Sequence, residues 1–270
     1  MKTKKNIFMG FVLALISLLI FVSTIPMLTA SAVSNTITLE IYSYYKSGDG
    51  NGHAWIVVTN DTTHTYSLGY YSMTPGETVT VGLWSSIGET GNNGVWYNSE
   101  SYAISELGLW DGRVSLSMTI TTSQLSKISD YIAKHDYWNA SYNCSCFAKD
   151  IWNMVSDDDV NCGWMVNLPA WLCDSIRGKS SYYTNKSIET NEKIGYIHEN
   201  KFWRAIPDLD GSSSSGSSGS SSSTNLMADG VSEGYAAMSL RQNIIEQLAY
   251  IGSDLTYDEY VQMSGLNVSE

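Results

Sequence analysis

The stretch that most constrains the fold of this chain runs from Ser141 to Ser156. Its apolar side chains recur every three or four residues, which predicts an amphipathic helix packed against a core. They are Cys144, Phe147, Ala148, Ile151, Trp152 and Val155. Asn143 or Ser141 can cap the first turn, because a short polar side chain accepts a hydrogen bond from an otherwise unpaired backbone N–H.

Cys144 falls in the first turn of this predicted helix, on the side that packs inward. The partial positive charge of a helix N-terminus favours a thiolate over a thiol. The unpaired N–H groups there can also receive a developing oxyanion. The alternative is a structural role, because free cysteine is among the most buried residue types. Cys146 points to the opposite side of the helix, which we expect to face solvent.

Residues 1–32 are typical of a secretory signal peptide. Three lysines within the first five residues precede an apolar run from Ile7 to about Val22, and Ala30-Ser31-Ala32 fits a small-residue cleavage site. An uncleaved membrane anchor is the alternative, and the cleavage motif disfavours it. We expect a mature protein that begins near Val33, is exported and does not span a membrane.

The charge of the chain excludes some classes of partner. Loss of the three signal-peptide lysines from the 15 Lys and Arg leaves 12, against 27 Asp and Glu, a formal net charge of −15. Such an acidic chain is not expected to bind the phosphates of nucleic acid, or an anionic membrane by charge alone. We expect a monomer that requires no cofactor.

The first half of the mature chain predicts a β-rich fold followed by helices, an α+β class. Short connecting turns between consecutive strands favour antiparallel pairing. The predicted strands are Thr36–Tyr45, His53–Val58, His64–Tyr71, Thr78–Trp84 and Arg113–Ile120. Thr121-Thr122-Ser123 then begins a helix from about Gln124 to His135.

The second half is organised around a low-complexity segment. Residues 33–210 are predicted to form one α+β domain, with a short helix starting at Pro169. Residues 211–224 contain only serine, glycine and one threonine, a composition typical of a flexible linker. Residues 225–270 then form a small helical tail, too short to hold a large core alone.

The four cysteines of an exported chain first suggest disulfides. Cys144 and Cys146 cannot pair within one helix, since their side chains diverge. Cys162 and Cys173 flank a short loop and can pair, which leaves the other two as free thiols or bridged elsewhere. We expect no metal site, because two helical sulfurs two residues apart do not point at one ion.

Two short motifs in this order resemble the circularly permuted papain-like hydrolases. Gly52-His53-Ala54-Trp55 is similar to their histidine strand, and Asn143-Cys144-Ser145-Cys146-Phe147-Ala148 to their nucleophile helix. These hydrolases are relatives of the NlpC cell-wall peptidases and of the lecithin retinol acyltransferase group. The resemblance spans about Ile37 to Val155. It implies an antiparallel meander or half-barrel packed against the nucleophile helix, to which this chain adds a short helical C-terminal appendage.

The resemblance also implies roles for individual residues. Cys144 becomes the nucleophile and His53 the general base that takes its proton. A third group normally orients the imidazole. In the acyltransferase branch this is a second histidine about a dozen residues on, near the position of His64. Glu100 is the competing candidate for that role.

Two functions of different classes follow from these features. One is a secreted thiol hydrolase that cleaves an amide, such as a cell-wall peptide bond, through an acyl-enzyme on Cys144; acyl transfer or thioester hydrolysis would use the same residues. The other is a non-catalytic secreted binding or adhesion module on the same scaffold. The substrate is therefore expected to be a peptide or an acyl compound.

Overall fold

A computed structural model provides the structure of the protein. It describes residues 35–46, 52–85 and 92–205, together with 255–256, 258–259 and 262. The predicted signal peptide, the serine- and glycine-rich linker and most of the predicted tail lie outside the described residues. The expected α+β class is confirmed by an extended antiparallel sheet with four helices.

Within the described residues, ten strands form an eight-stranded sheet and a separate two-stranded hairpin. The large sheet has the order β10-β9-β6-β5-β2-β1-β7-β8, and β3 pairs with β4 in the hairpin. The strands are β1 Ile37–Tyr45, β2 Gly52–Asn60, β3 Tyr66–Leu68, β4 Tyr71–Met73, β5 Thr78–Trp84, β6 Gly94–Tyr97, β7 Val114–Ile120, β8 Tyr183–Thr184, β9 Gly195–His198 and β10 Lys201–Arg204.

All the strand pairings within the described ranges are antiparallel. The sheet departs from a simple meander, because β7 adds to β1 at the side away from β2. The predicted strand from His64 to Tyr71 is wrong in extent. Gly69 has a positive φ of 61° and turns the chain there, so the stretch becomes β3 and the start of β4.

Four helices accompany the sheet within the described part of the chain. They are α1 Ser99–Leu107, α2 Thr122–Lys134, α3 Cys144–Val155 and α4 Pro169–Arg177. The predicted helices at Gln124, Cys144 and Pro169 are confirmed, whereas α1 was not predicted. Its burial explains the miss, since three of its four buried residues are the polar side chains Ser99, Glu100 and Ser101.

The central strand β2 is covered on both faces. Ala54, Ile56 and Val58 belong to an aliphatic core that also contains the inward side chains of α2, α3 and α4. Trp55 and Val57, on the alternate face, belong to a second core rich in tryptophan and tyrosine. We call these the aliphatic face and the aromatic face of the sheet.

Helix α3 begins as the sequence predicts. Asn143 provides the cap, its side-chain oxygen accepting hydrogen bonds from the N–H groups of Ser145 at 2.9 Å and Cys146 at 3.4 Å. Its side-chain amide also donates to the Asn167 carbonyl at 2.8 Å. This cap therefore ties the start of α3 to the segment that precedes α4.

The expectation that Cys146 faces solvent is wrong, since only 5% of the residue is exposed. The segment 157–168 folds back over that side of α3. Asn153 on α3 makes two side-chain hydrogen bonds with the backbone of Val160, each of 2.9 Å. A loop thus covers part of a face that is polar in sequence and pairs with Asn153 on it.

Two further observations concern membranes and the tail. The residues described include no helix long and apolar enough to cross a membrane. Leu255, from the predicted tail, packs against a small apolar cluster of Val166, Leu168 and Ala170 just before and within the first turn of α4.

Candidate active site

The side chains of His53 and Cys144 are in hydrogen-bond contact, although 90 residues separate them along the chain. His53 is the second residue of β2 and Cys144 is the first residue of α3. Both are nearly buried, with exposed fractions of 4% and 9%. The contact thus joins the beginning of a central strand to the beginning of a helix.

Glu100 completes the arrangement on the far side of the imidazole. Its Oε1 lies 3.0 Å from Nε2 of His53, and its side chain has no exposed surface. Because Nε2 faces the carboxylate, we infer that Nδ1 is the ring nitrogen directed at the Cys144 sulfur. Cysteine, histidine and carboxylate therefore form a connected series, the arrangement by which a base activates a thiol and is itself oriented.

Helix α1 holds Glu100 in this position. Glu100 lies in the first turn, where the helix dipole favours a negative charge. Asn98, the residue before the helix, has a left-handed φ of 63° and is fixed to β5. Its backbone N–H donates to the Thr80 carbonyl at 2.9 Å, and its side-chain oxygen accepts from the Thr80 N–H at 3.1 Å. The start of α1 is thereby anchored to the strand beside β2.

The carboxylate of Glu100 accepts hydrogen bonds from two side chains of β5. Trp84 Nε1 donates to Oε1 at 2.9 Å, and Thr80 Oγ1 donates to Oε2 at 2.9 Å. A buried carboxylate is costly unless its oxygens are paired in this way. Including the bond with His53, both oxygens of Glu100 have partners.

Gly82, between these two donors on β5, allows the carboxylate to approach the strand. A Cβ atom at this position would lie 1.9 Å from Glu100 Oε1 and 3.1 Å from His53 Nε2. Gly82 also pairs with Trp55 in the neighbouring strand β2. Any larger residue would push Glu100 away from the imidazole.

Three tryptophans surround the ring of His53. The ring centroids lie 4.2 Å from Trp84, 5.2 Å from Trp110 and 5.6 Å from Trp55. The three indoles are at least 96% buried, so little water reaches the ring from the aromatic face. This environment fixes the imidazole plane and strengthens its electrostatic interactions.

The pKa of His53 reflects opposing effects. Burial lowers the pKa of the imidazole, but the hydrogen bonds to Cys144 and Glu100 and the negative charges of both groups raise it to about 9. At neutral pH the imidazole is therefore mostly protonated, with an acceptor on each side. This is the protonation state expected beside a thiolate.

The structure does not bring His64 to this cluster. His64 lies in the turn after β2 and is exposed, and its ring contacts are with Thr63 and Tyr66. His53 is near the start of β2, whereas the side chain of Asn60 at its end binds the His64 carbonyl. At about 3.3 Å per residue, the strand separates the two histidines by more than ~20 Å. Of the two predicted orienting groups, only Glu100 contacts His53.

Sequence reasoning missed the β5 side chains that support Glu100. Thr80, Gly82 and Trp84 alternate along the strand, so they point to the same face. A glycine inside a strand is a signal of close backbone approach. That signal marked the position of Gly82, but nothing in the sequence linked it to Glu100.

The cysteines are all free thiols in the structure. The pairing considered between Cys162 and Cys173 is not seen: Cys162 contacts Asn167 and Cys146, whereas Cys173 contacts Ser43 and the backbone of Tyr45 on β1. Both residues belong to the buried aliphatic core, with Cys173 directed at β1. Among the described residues, no group of three or more His, Cys, Asp or Glu side chains is placed to hold a metal ion.

Comparison of the chain with protein-family models, with curated proteins and with solved structures found no match.

Proposed function

We propose that this protein is a cysteine hydrolase that cleaves an amide bond through an acyl-enzyme on Cys144. The observation that carries the proposal is the connected series of Cys144, His53 and Glu100, buried at the meeting of β2, α1 and α3. A purely structural role for these groups would not require a buried carboxylate against a protonated imidazole, which is costly to assemble.

The chemistry follows from the positions of the groups. The Cys144 thiolate attacks the amide carbon, and the carbonyl electron pair moves onto oxygen. As the C–N bond breaks, His53 gives its proton to the leaving amine, and a thioester remains on Cys144. Neutral His53 then takes a proton from water, whose oxygen attacks the thioester and releases the carboxylic acid and the thiolate.

The oxyanion is assigned to the start of α3. Asn143 already accepts from the N–H groups of Ser145 and Cys146, so the N–H of Cys144 itself is the first-turn donor assigned to the substrate. A donor at a helix N-terminus acts on the charge that develops in the transition state, where it has the greatest effect on rate.

Glu100 acts as a positioning residue in this scheme. It holds the imidazole by Nε2 and stabilises its protonated form, while Trp84 and Thr80 hold the carboxylate.

The substrate class and location are proposed from the resemblance to the NlpC peptidases and from the expected signal peptide. A secreted amidase with that resemblance would act on peptide bonds of the bacterial cell wall. The order of a histidine strand before a cysteine helix is that of the permuted papain-like hydrolases which the sequence resembles, and it supports this proposal.

Purified peptidoglycan provides the test, with new amino groups and released peptides detected by mass spectrometry. We expect the wild-type protein to release peptides, Cys144→Ala to release none, and Cys173→Ala, which alters a thiol in the aliphatic core, to retain activity. Absence of cleavage together with an unreactive Cys144 would favour the non-catalytic binding module instead.

A further inference from the structure

Two other cysteine side chains meet close to the candidate nucleophile. The side chains of Cys146 and Cys162 are in hydrogen-bond contact. Cys146 lies in the first turn of α3, and Cys162 lies in the segment 157–168 that covers this helix. Neither thiol takes part in the proposed hydrolysis.

Asn167 and the Ser141 carbonyl fix both sulfurs in one polar network. Cys146 Sγ lies 3.4 Å from the Ser141 oxygen, to which the Asn167 amide donates at 3.1 Å. The oxygen of the same Asn167 side chain lies 3.3 Å from Cys162 Sγ. The two thiols are thus held against each other by the structure around the cap of α3.

The pair lies directly beneath the surface. Cys146 retains 5% exposure and Cys162 none, but Asn161 is exposed and Trp164 is 69% exposed. A small displacement of this short covering segment would admit a solvent-borne reagent to Cys146.

We propose that Cys146 and Cys162 form a disulfide bond when the protein meets a disulfide oxidant, such as an oxidised dithiol oxidoreductase or oxidised glutathione. The bond would join the first turn of α3 to the segment before α4. It replaces the pairing of Cys162 with Cys173 that sequence spacing suggested.

The two cysteines have distinct roles in the thiol–disulfide exchange that forms this bond. The hydrogen bond from Cys162 is the main cause that lowers the pKa of Cys146, so Cys146 is the attacking thiolate. It displaces one sulfur of the oxidant as a thiolate and forms a mixed disulfide. Cys162 then loses its proton to solvent and attacks Cys146 Sγ, which releases the second thiolate of the oxidant. The protein loses two hydrogen atoms and the oxidant becomes two thiols.

Closure of the bond would encircle about 15 residues, the stretch between the two cysteines. A loop of that size restricts the unfolded chain, and we expect the thermal midpoint to rise by roughly 6–12 °C on oxidation. Because the cap of α3 belongs to the same network, the bond would also restrain the helix start that carries Cys144.

The experiment uses the full chain with Cys144→Ser, so that the candidate nucleophile does not react and the result is independent of the proposed activity. The protein is incubated with oxidised glutathione, alkylated, digested without reductant and analysed by mass spectrometry, and its thermal midpoint is measured before and after. We expect a Cys146–Cys162 linkage, the loss of two hydrogens and the rise in midpoint.

Two further variants separate the outcomes. Cys173→Ser in the same background should form the same linkage, whereas Cys162→Ser should stop at a glutathione adduct on Cys146. A Cys162–Cys173 linkage, or thiols that all remain free after oxidation of the folded protein, would overturn the proposal.

Discussion

His53 and Glu100 are joined by a 3.0 Å contact between Nε2 and Oε1, with side-chain exposures of 5% and 0%. On the other side of the imidazole lies Cys144. One buried ring therefore connects a carboxylate on α1 to a sulfur on α3. The account of function rests on this connection, and each group in it can be changed separately.

Glu100→Gln tests the carboxylate. The amide is nearly the same size and still accepts a hydrogen bond, but it carries no charge, so it stabilises a protonated imidazole less than the carboxylate does. We expect the rate of Cys144 modification by an epoxide inactivator to fall by roughly 10²–10⁴-fold. Glu106→Gln changes an exposed carboxylate on the same helix and should leave the rate unchanged. Equal rates for both variants would remove Glu100 from the mechanism.

Gly82→Ala tests the close approach of the carboxylate to β5. The added methyl would occupy the place of Glu100 Oε1, so the carboxylate must move by about 1 Å or more, a displacement that can cost ~10²-fold in rate. Gly178→Ala is the matched control, since its φ of −68° suits alanine and an added Cβ would lie no closer than 3.4 Å to any neighbouring atom. Epoxide inactivation rates of the two folded variants give the comparison. An unimpaired Gly82→Ala variant would contradict the geometry at this site.

The pH dependence of inactivation tests the protonation of His53. Opening an epoxide requires a proton on the departing oxygen, which imidazolium supplies, whereas alkylation by iodoacetamide requires none. Because the pKa of His53 is raised to about 9, the epoxide rate should fall as the pH rises through about 9. The iodoacetamide rate should not fall over the same range. A decline of the epoxide rate already near pH 6.5 would indicate a histidine without these partners.

The ionisation of Glu77 should make the free energy of unfolding depend on pH. Burial raises the pKa of Glu77, but the hydrogen bonds to its carboxylate lower it by more, so that the pKa falls from 4.5 to about 2. These bonds come from Tyr71, Thr74, Asn191 and Lys193. Since the folded-state pKa is depressed, the stabilisation is complete above about pH 4.5 and is lost as the pH falls towards 2.

Urea unfolding of wild type and Glu77→Gln at several pH values measures this effect. The wild-type advantage attributable to ionisation should be roughly 1–3 kcal/mol at neutral pH, because solvent screens part of the interaction, and should shrink between pH 4.5 and 2. Glu189→Gln, which replaces another carboxylate beside the same surface groove, is the control. A difference that does not vary with pH would show that the charge of Glu77 is not responsible.

The sequence predicted the parts of this site that carry local signals. The apolar spacing after Asn143 predicted α3 and its cap, alternation predicted β1 and β7, and β-branched residues predicted β2. The placement of Cys144 in the first turn followed from that spacing, whereas its pairing with His53 rested on the resemblance. The structure brings these two residues together.

Other features depend on tertiary contacts that local patterns do not encode. Helix α1 buries serines and Glu100 rather than an apolar stripe, so no apolar repeat in the sequence predicts it. The helical spacing predicted that Cys146 faces solvent, whereas in the structure the segment 157–168 covers it. The choice between His64 and Glu100 required knowing which end of β2 each residue approaches.

Alkylation of Cys144 by iodoacetamide at pH 6 tests the central claim most directly, with the modified residue identified by peptide mass spectrometry. We predict that Cys144 reacts roughly 10²-fold faster than free cysteine and faster than Cys146. His53→Ala should abolish most of this advantage, whereas His64→Ala should retain it. If Cys144 reacts at the rate of an ordinary thiol, or if His53→Ala leaves its rate unchanged, the proposed thiolate–imidazolium pair does not exist.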